Sequence, residues 1–349
     1  MNTLRARPAP APQLSVLIPA LNEALALPKL LADLAAQQGL RLEILVADGG
    51  SSDLTPAIVR RHGAALLRAP RGRAAQLNAA VAAARAPWLL CLHADSRLTS
   101  TTQLAAALRQ MRAARRLQPL MAGHWPLRFV RTATGHAALF RQLEAKSASN
   151  RPGTVNGDQG LMIHRDTLAA LGGFDASLPF FEDQRLAAQV FARGRFELLP
   201  GVIETSARRF EVEGHGARLL LMALIVGAET AGLHDWLREL PSLYREQSAA
   251  AALQPVPFIE SLLAHIAALP TASRRRVWQQ AGRLVAGNAW QLALLLDGLH
   301  PQAPRWLPRF DARLAPLFTS PLAIQLISRA LPPALRTLAA GLRVAQPIP

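Results

Sequence analysis

The stretch WLLCLHADSRL, residues 88–98, decides how the first half of this sequence folds. Its apolar run, Trp88 to Leu92, has the composition of a strand that is covered on both faces of a parallel sheet. His93 and Asp95 follow this run directly. A polar turn explains them, but so does a metal or phosphate site at the carboxyl edge of the sheet, where open α/β folds place their ligands. These residues alone leave both interpretations open.

Strand-like and helical segments alternate on both sides of this stretch, from Leu14 to about Arg209. Strands are predicted at LSVLIPA, LEILVADGG, AALLRAP and WLLCLHAD, with helices between them, the second of which is expected to have Thr55 as its N-cap. This alternation predicts a parallel sheet joined by crossover helices. MAGHWPLRF is predicted to form one further strand, and PFFEDQRLAAQVFARG a capped helix that ends at Gly194.

The C-terminal part has a different pattern, because helical segments separated by prolines replace the alternation beyond about Glu213. We expect a flexible lead at 1–13, an α/β domain at 14–215 and an all-α region at 216–349. The apolar stripe from Val277 to Leu299 is predicted to pack on its neighbours. Its alternative is an interfacial helix on a membrane, helped by the three arginines 274–276.

The composition bounds the class of protein. The chain has 349 residues, a formal net charge of +16 and a pI of about 11.6, which favours anionic partners. Nucleic acid is disfavoured because only 5% of the residues are aromatic and no nucleic-acid-binding motif occurs. The single cysteine, Cys91, predicts a buried thiol in a reducing, cytoplasmic compartment. Neither a signal peptide nor a membrane-spanning segment is predicted.

Carboxylates recur where the predicted strands end. One such acid is usually a turn former or a helix cap, but several in the same register predict a shared site. Transfer from a phosphorylated donor fits them, because a divalent cation held by carboxylates neutralises a leaving diphosphate. The acids of this series are Glu23, Asp48, Asp53, Asp95, Asp158, Glu182 and Asp183.

This chemistry needs two further roles, a proton acceptor and cationic groups that bind phosphate. Asp183 is placed to take a proton from an attacking hydroxyl, although a helix-starting acid would look the same in the sequence. Arg71 and Arg73, beside Gly72, are suited to phosphate.

Other site classes have no motif in the chain. It contains no GxxxxGK[ST] loop, no GxGxxG after a strand, no GxSxG elbow and no zinc-spaced cysteines and histidines. A nucleotidyltransferase remains an alternative, although PALNEALALPK lacks the glycines that its first loop would need. The other alternative is a non-catalytic scaffold that binds a nucleotide sugar or a membrane surface.

Six motifs in order resemble the family-2 glycosyltransferases, which have the GT-A fold and use nucleotide-sugar donors. They are SVLIPALNEA (15–24), VADGGSSD (46–53), APRGRAAQLNAA (69–80), LHADSRL (92–98), GDQGLMIHRDTLAALGGF (157–174) and FFEDQRLA (180–187). The HAD in place of DxD, together with TSARRFEVEG (205–214), is similar to a bacterial subgroup linked to arsenosugar biosynthesis. The resemblance covers about residues 14–240.

On the donor side, the resemblance implies that Pro19, Asn22 and Glu23 border the nucleotide and that Asp48 contacts its base or ribose. Arg73 would approach the pyrophosphate. Arg208 and Arg209 would meet the diphosphate from a later loop.

The resemblance also implies the reacting residues. Asp95 matches the last acid of the DxD motif and would hold Mg²⁺ or Mn²⁺, while His93 stands at the first acid. Asp183 matches the catalytic base, which implies inversion at the anomeric carbon. Asp158, Gln159 and Glu182 would lie on the side of a hydroxyl-bearing acceptor. The basic helical region gives two further expectations. The acceptor is lipid-linked, and the protein makes peripheral contact with the inner face of an anionic membrane.

Overall fold

A computed structural model of the chain describes residues 10–133, 135–247, 252–300 and 305–345. It divides into two compact units. The sheet unit comprises the residues up to Val130 together with Leu143–Ser206, and the helical unit comprises Arg131–Gln142 and the residues from Ala207 onward. Most of the lead expected at 1–13 lies outside the described residues, and the domain limits given above stay a prediction.

Ten strands lie in the sheet unit, and seven of them form the main sheet in the order β3-β2-β1-β4-β8-β6-β9. A second, small sheet has the order β5-β10-β7. In chain order the strands are β1 (Leu14–Ala20), β2 (Leu42–Asp48), β3 (Ala65–Arg68), β4 (Trp88–Cys91), β5 (Arg97–Leu98), β6 (Met121–His124), β7 (Leu127–Val130), β8 (Leu161–His164), β9 (Arg195–Leu198) and β10 (Ile203–Ser206).

Seven helices connect these strands, and the predicted crossover helices are among them. Leu27, Leu30, Leu31 and Leu34 are buried along one face of the first, at the spacing that a helix requires. The helices are α1 (Leu27–Ala35), α2 (Thr55–Arg61), α3 (Arg73–Ala83), α4 (Gln103–Arg115), α5 (Ala137–Ala148), α6 (Arg165–Ala170) and α7 (Glu182–Arg193). The division between the two units falls within α5.

Strand β4 is buried on both faces, as its continuous apolar sequence predicts. Trp88, Leu90 and Leu92 belong to the hydrophobic cluster on one face of the main sheet. Leu89 and Cys91 belong to the cluster on the other face. Because successive side chains of a strand point to opposite faces, both faces of this strand are covered. The predicted α/β class with a mostly parallel sheet is confirmed.

The later strands add one antiparallel member to this mostly parallel sheet and differ from the prediction at one segment. β8 runs antiparallel to both β4 and β6, so the sheet is not wholly parallel. MAGHWPLRF forms two strands rather than one, and the break falls at Trp125 and Pro126. Proline has no amide hydrogen to donate to a sheet, and the amide and indole nitrogens of Trp125 bond instead to the carbonyls of Gln159 and Pro200.

One predicted cap is wrong. The Thr55 hydroxyl does not cap α2, because it accepts a hydrogen bond from the amide of Glu23 at 2.8 Å. The Thr55 amide donates instead to the carboxylate of Asp53 at 2.9 Å. Helix α7 begins with the predicted acids in its first turn and ends at Gly194, as predicted, although Phe181 before it, with a φ of 78°, provides no side-chain cap.

The helical unit is all-α over its described residues, as predicted. Its helices after α5 are α8 (Arg208–Glu213), α9 (His215–Thr230), α10 (His234–Glu246), α11 (Val256–Ala268), α12 (Thr271–Gly287), α13 (Trp290–Leu299), α14 (Trp306–Arg309), α15 (Ala315–Phe318) and α16 (Pro321–Ala345), with one π-helical turn at Phe310–Leu314.

The predicted packing of the apolar stripe from Val277 to Leu299 is only half right. The stripe is broken between α12 and α13, because α12 ends at Gly287 and α13 begins at Trp290. Val277 is buried, but the four leucines of the stripe in α13 are exposed, from 37% for Leu295 to 62% for Leu292.

No single helix in the described ranges is long and apolar enough to cross a membrane. One pair of consecutive helical segments, Trp306–Phe318 and Pro321–Val344, is long and apolar enough when the two are taken together, but the chain bends by 76° between them.

Candidate functional site

The loops that follow β1 and β2 are tied together at the carboxyl edge of the main sheet. The amide of Asn22 donates to the Ser51 hydroxyl at 2.8 Å, and the Asn22 side-chain oxygen accepts from the Ser52 amide at 2.9 Å. The next amide, of Glu23, is held by Thr55 as described above. Asn22 has a φ of 57°, a conformation that asparagine tolerates better than most residues. The two loops therefore form one bonded unit beside Pro19, which lies near the end of β1.

Asp48 ends β2 under this unit and is buried, with 7% of its surface exposed. Both its carboxylate oxygens lie 3.2 Å from the amide of Ser51. Asp48 therefore shapes the loop in addition to any contact it makes with a ligand.

Gln76 is a component of this edge that the sequence did not reveal. It lies on α3, is buried, and its amide nitrogen donates to the carbonyl of Ala20 at 2.7 Å and to that of Ala47 at 2.8 Å. One side chain thus holds the ends of β1 and β2 together. A lone glutamine in an alanine-rich helix gives no signal of this role in the sequence.

The end of β4 turns sharply, with the Ser96 amide donating to the carbonyl of His93 at 3.1 Å. Asp95 is half-buried in this turn. Within the described part of the chain its carboxylate makes no hydrogen bond or ion pair, unlike the other strand-end acids. It therefore keeps its full capacity to bind a ligand.

The antiparallel direction of β8 brings a distant loop to this edge. Cys91 in β4 pairs with Leu161 in β8, so the segment that precedes β8 lies beside the residues that follow β4. As a result, Nδ1 of His93 lies 2.7 Å from a carboxylate oxygen of Asp158, although 65 residues separate the two in sequence. His93 therefore meets a carboxylate of another loop and not the one at Asp95.

The loop of Asp158 is held from within by a reciprocal cap. The Asn156 side chain accepts from the Asp158 amide at 3.1 Å, and the Gln159 side chain accepts from the Asn156 amide at 3.3 Å. Gln159 is fully buried and also donates to the carbonyl of Thr154 at 2.8 Å. We therefore assign Gln159 to holding this loop rather than to contacting the acceptor.

Asp183, at the start of α7, reaches the same loop. Its carboxylate accepts from the Gly157 amide at 2.5 Å. Gly157 has no room for a side chain, because a Cβ there would lie 2.6 Å from Nε2 of His93 and 3.0 Å from a carboxylate oxygen of Asp183. His93, Asp158 and Asp183 thus surround one glycine, and this is the closest grouping of titratable side chains that the motifs predicted.

A charged pair lies next to this group. The guanidinium of Arg73 lies 3.2 Å from the carboxylate of Glu182, which is 1% exposed, while the Arg73 side chain is 38% exposed. Burial raises the pKa of Glu182, and Arg73 opposes this rise while Asp183 adds to it. For Arg73, burial lowers the pKa, but the charges of Glu182, Asp183 and Asp158 outweigh it, so the net pKa is raised. Glu182 therefore depends on Arg73 for its charge.

We expect the substitution Arg73→Met to destabilise the chain, and more so at high pH. A group whose pKa is raised by folding favours the folded state below its ordinary value, 4.5 for glutamate, and loses that contribution as the pH rises through the folded pKa. Without Arg73 the folded pKa of Glu182 rises further, so the loss grows. We expect about 1–3 kcal/mol near pH 8, less than for a fully buried pair because Arg73 is partly exposed.

Urea unfolding at about pH 5 and about pH 8 measures this difference. The double variant Arg73→Met/Glu182→Gln removes the buried charge, so its deficit should not grow with pH. An Arg73→Met deficit of equal size at both pH values would show that Glu182 does not depend on Arg73.

Cys91 takes no part in this chemistry. Burial, with Glu182 as a further cause, raises the pKa of its thiol to about 12. A thiol with such a pKa is protonated and unreactive at neutral pH, as the sequence predicted.

The residues fit a divalent cation only with help from a ligand. No group of three histidine, cysteine, aspartate or glutamate side chains is placed to hold a metal ion within the described ranges. Asp95 offers one open carboxylate, and Mg²⁺ sites often consist of one or two carboxylates completed by phosphate oxygens and water. Asp95 is therefore the side chain that would hold a cation between the protein and a diphosphate.

Two predicted site residues lie elsewhere. Arg208 and Arg209 form the first turn of α8 in the helical unit, and both are exposed. Their predicted contact with a diphosphate stays a prediction. The other predicted residues all lie in the sheet unit, at or near the carboxyl edge of its parallel strands.

Comparison with known proteins identifies the class. Residues 15–121 match the family model described as "Glycosyl transferase family 2". The match begins in β1 and includes the loops of Asn22 and Asp48, Arg73, and the turn of His93 and Asp95. Residues 15–121 therefore carry a family-2 glycosyltransferase domain, and the chain is a glycosyltransferase. The predicted fold class and the predicted enzyme class are confirmed.

Solved structures resemble the chain only distantly. TarS of S. aureus residues 1–349 in complex with UDP is 14% identical, covers 86% of this chain and 91% of its own, and has a TM-score of 0.47. Mannosyltransferase PcManGT from Pyrobaculum calidifontis in complex with GDP-Man and Mn²⁺ is 20% identical, with coverages of 92% and 87% and a TM-score of 0.45. No curated protein matches the sequence.

Proposed function

We propose that the chain transfers a sugar from a nucleoside-diphosphate donor to a hydroxyl acceptor in one inverting displacement, with Asp183 as the base. The observation that carries the proposal is the meeting of Asp183, His93 and Asp158 around Gly157. Asp95, with its open carboxylate, follows His93 by two residues in the same turn. The first three come from three segments far apart in sequence, and a structural cap would not require all of them in one place. The arsenosugar-type subgroup remains part of this proposal as a narrower assignment.

The donor lies along the edge of the sheet. Its nucleoside occupies the bonded loops of Asn22 and Glu23 over Asp48, where backbone and carboxylate groups face a ribose and base. Its diphosphate lies at the end of β4, near Asp95, with Arg73 on the side of α3.

The transfer is a single step. Asp183 accepts the proton of the acceptor hydroxyl, and the hydroxyl oxygen forms a bond to the anomeric carbon of the sugar. The bond from that carbon to the diphosphate oxygen breaks, and the nucleoside diphosphate leaves with the bonding electrons. Attack on the face opposite the leaving group inverts the anomeric centre. The amide of Gly157 holds the Asp183 carboxylate in place for this role.

The remaining carboxylates position these groups. Asp158 orients the imidazole of His93, because its carboxylate accepts a hydrogen bond from Nδ1. Glu182, which is 1% exposed, holds the guanidinium of Arg73 in place by an ion pair on the acceptor side. Mg²⁺ or Mn²⁺, when bound at Asp95, would neutralise charge that develops on the leaving diphosphate. We place the enzyme in the cytoplasm, where nucleotide sugars and reduced thiols coexist.

Calorimetric titration with UDP, GDP and dTDP, each with and without Mn²⁺, tests the donor site. We expect one nucleotide to bind, and to bind more tightly with Mn²⁺. That nucleotide identifies the nucleobase of the sugar donor. Binding without any effect of Mn²⁺ would contradict the role of Asp95 but not the transferase.

The rival functions predict other results when the matching triphosphates are titrated beside these diphosphates. A nucleotidyltransferase would bind a nucleoside triphosphate more tightly than the diphosphate. No binding of any nucleotide would contradict the proposed donor site. A non-catalytic scaffold binds nucleotide as an enzyme does, so only turnover separates the two, as described in the Discussion.

A further inference from the structure

Large apolar side chains are exposed mainly in one part of the helical unit. Of the 20 such side chains among the described residues, 13 lie between Val285 and Val344. Scattered exposed leucines are normal on a protein surface, but a concentration of this kind marks an interaction site. None of the residues proposed for sugar transfer lies in this segment.

Helix α13 shows that the exposure is one-sided. Trp290 and Ala293 are buried against Phe310 of the neighbouring π-helical turn. Four leucines on the other side are exposed, and their spacing of three and four residues places them on one helical face: Leu292, Leu295, Leu296 and Leu299. The helix therefore packs with one face and leaves an apolar face open.

Helix α16 has the same arrangement. Its inner side lies close against α12, since a Cβ on Gly282 would meet the Ser328 hydroxyl at 2.1 Å. Leu322 and Leu326 lie on its outer side and are 66% and 57% exposed. Between α13 and α16 in sequence, the short helices α14 and α15 expose Trp306, Leu317 and Phe318. The α13 helix contacts α14, and α15 contacts α16, so these outer faces lie on neighbouring elements.

Arginines alternate in sequence with these apolar side chains. The segment from Arg305 to Arg343 contains six arginines and one acid, Asp311. Arg343 pairs with Glu260, whereas five others are exposed: Arg305, Arg309, Arg313, Arg329 and Arg336. The guanidinium of Arg309 lies over the ring of Trp306, 5.8 Å from its centre. Exposed leucines, a tryptophan and exposed arginines are the composition of surfaces that lie at the boundary between lipid headgroups and acyl chains.

We propose that this apolar–basic surface, formed by α13 to α16, docks onto an anionic phospholipid bilayer. Charge decides between this occupant and a second copy of the chain. A symmetric dimer through this surface would place arginine against arginine, which opposes association. An anionic bilayer offers the opposite charge to the arginines and an apolar layer to the leucines. The proposal stands independently of the proposed sugar transfer, although it favours an acceptor that is itself held in the membrane.

Vesicle sedimentation with the full chain tests the proposal. We expect the protein to sediment with phosphatidylcholine vesicles that contain about one third phosphatidylglycerol, and to stay largely in the supernatant with phosphatidylcholine alone. Raising NaCl from about 0.1 M to about 0.5 M should weaken binding without abolishing it, because salt screens the arginines but not the leucines. A protein that stays in the supernatant with both kinds of vesicle would overturn the proposal.

Two triple variants provide the matched comparison. Leu292→Gln/Leu317→Gln/Leu322→Gln changes residues of the surface that are 62%, 65% and 66% exposed, so the fold should survive. We expect its partition onto anionic vesicles to fall about tenfold or more. The control, Leu25→Gln/Leu54→Gln/Leu117→Gln, changes leucines at least as exposed in the sheet unit, at 88%, 70% and 83%, and should bind as the wild type does.

Arginine variants separate the two parts of the surface. Arg305→Gln/Arg313→Gln/Arg329→Gln should lose anionic selectivity, about tenfold, whereas Arg60→Gln/Arg61→Gln/Arg112→Gln, equally exposed elsewhere, should not. Equal losses from both arginine sets would mean that net charge alone drives binding and would overturn the docking surface. So would a concentration-dependent dimer, seen by sedimentation velocity without lipid and abolished by the leucine variant.

Discussion

Replacement of Asp183 by asparagine should reduce turnover by about a hundredfold to ten-thousandfold, the range that a general base contributes, and leave nucleotide binding unchanged. Asparagine has nearly the same shape and still accepts the hydrogen bond from the Gly157 amide, so the loop should stay in place. It cannot take a proton from a hydroxyl. The measurement is the release of nucleoside diphosphate from the donor selected by the nucleotide titration, with water or added glycerol as the acceptor.

Asp166→Asn is the matched control for this experiment. Asp166 also lies in the first turn of a helix, α6, and also in the sheet unit, but it is 73% exposed and forms a pair with Arg115. If Asp183 only stabilised its helix, the two variants would lose similar small amounts of stability and no activity. An Asp183→Asn protein with full turnover would exclude Asp183 as the base and favour the non-catalytic scaffold.

Replacement of Asp95 by alanine should abolish the part of nucleotide affinity that depends on a divalent cation. We expect binding in the presence of Mn²⁺ to weaken about tenfold to a hundredfold, because this carboxylate is the protein's share of the proposed cation site. With EDTA the variant and the wild type should bind the nucleotide equally. Calorimetric titration in both conditions measures the two affinities.

Structural loss is controlled in two ways. Asp95 makes no hydrogen bond or ion pair in the described part of the chain, so its removal leaves no partner unsatisfied, and thermal unfolding should change little. Asp166→Ala should retain the cation dependence. If Asp95→Ala keeps the full Mn²⁺ effect, the cation is held by other groups. Arg73 would then be the residue that neutralises the charge of the diphosphate.

The local features of the sheet unit could be predicted from the sequence because they depend on neighbouring residues. The two-faced burial of β4 follows from its continuous apolar run, and the buried face of α1 follows from the spacing of its leucines. The acids at the strand ends were found in the same way, since parallel strands bring their carboxyl ends to one edge.

The partners of the site residues could not be predicted, because they depend on contacts between distant segments. The direction of β8 is an example: the alternation of strands and helices favours a parallel strand, yet β8 is antiparallel, and only this direction brings Asp158 to His93. The pairing of Arg73 with Glu182 likewise joins residues 109 positions apart. In the helical unit, the apolar spacing of α13 predicted a face correctly but could not show that nothing in the described structure covers it.

The position of Gln76 on α3 has a mechanical consequence. Gln76 lies three residues after Arg73, within one turn of the same helix, and its amide nitrogen donates to the last carbonyl of β1 and to the second-to-last carbonyl of β2. Any spreading of those strand ends must therefore move the helix start that carries Arg73. The proposed nucleoside site and diphosphate site are therefore mechanically coupled through α3. A donor whose nucleoside is displaced from the ends of β1 and β2 would also have its diphosphate out of position.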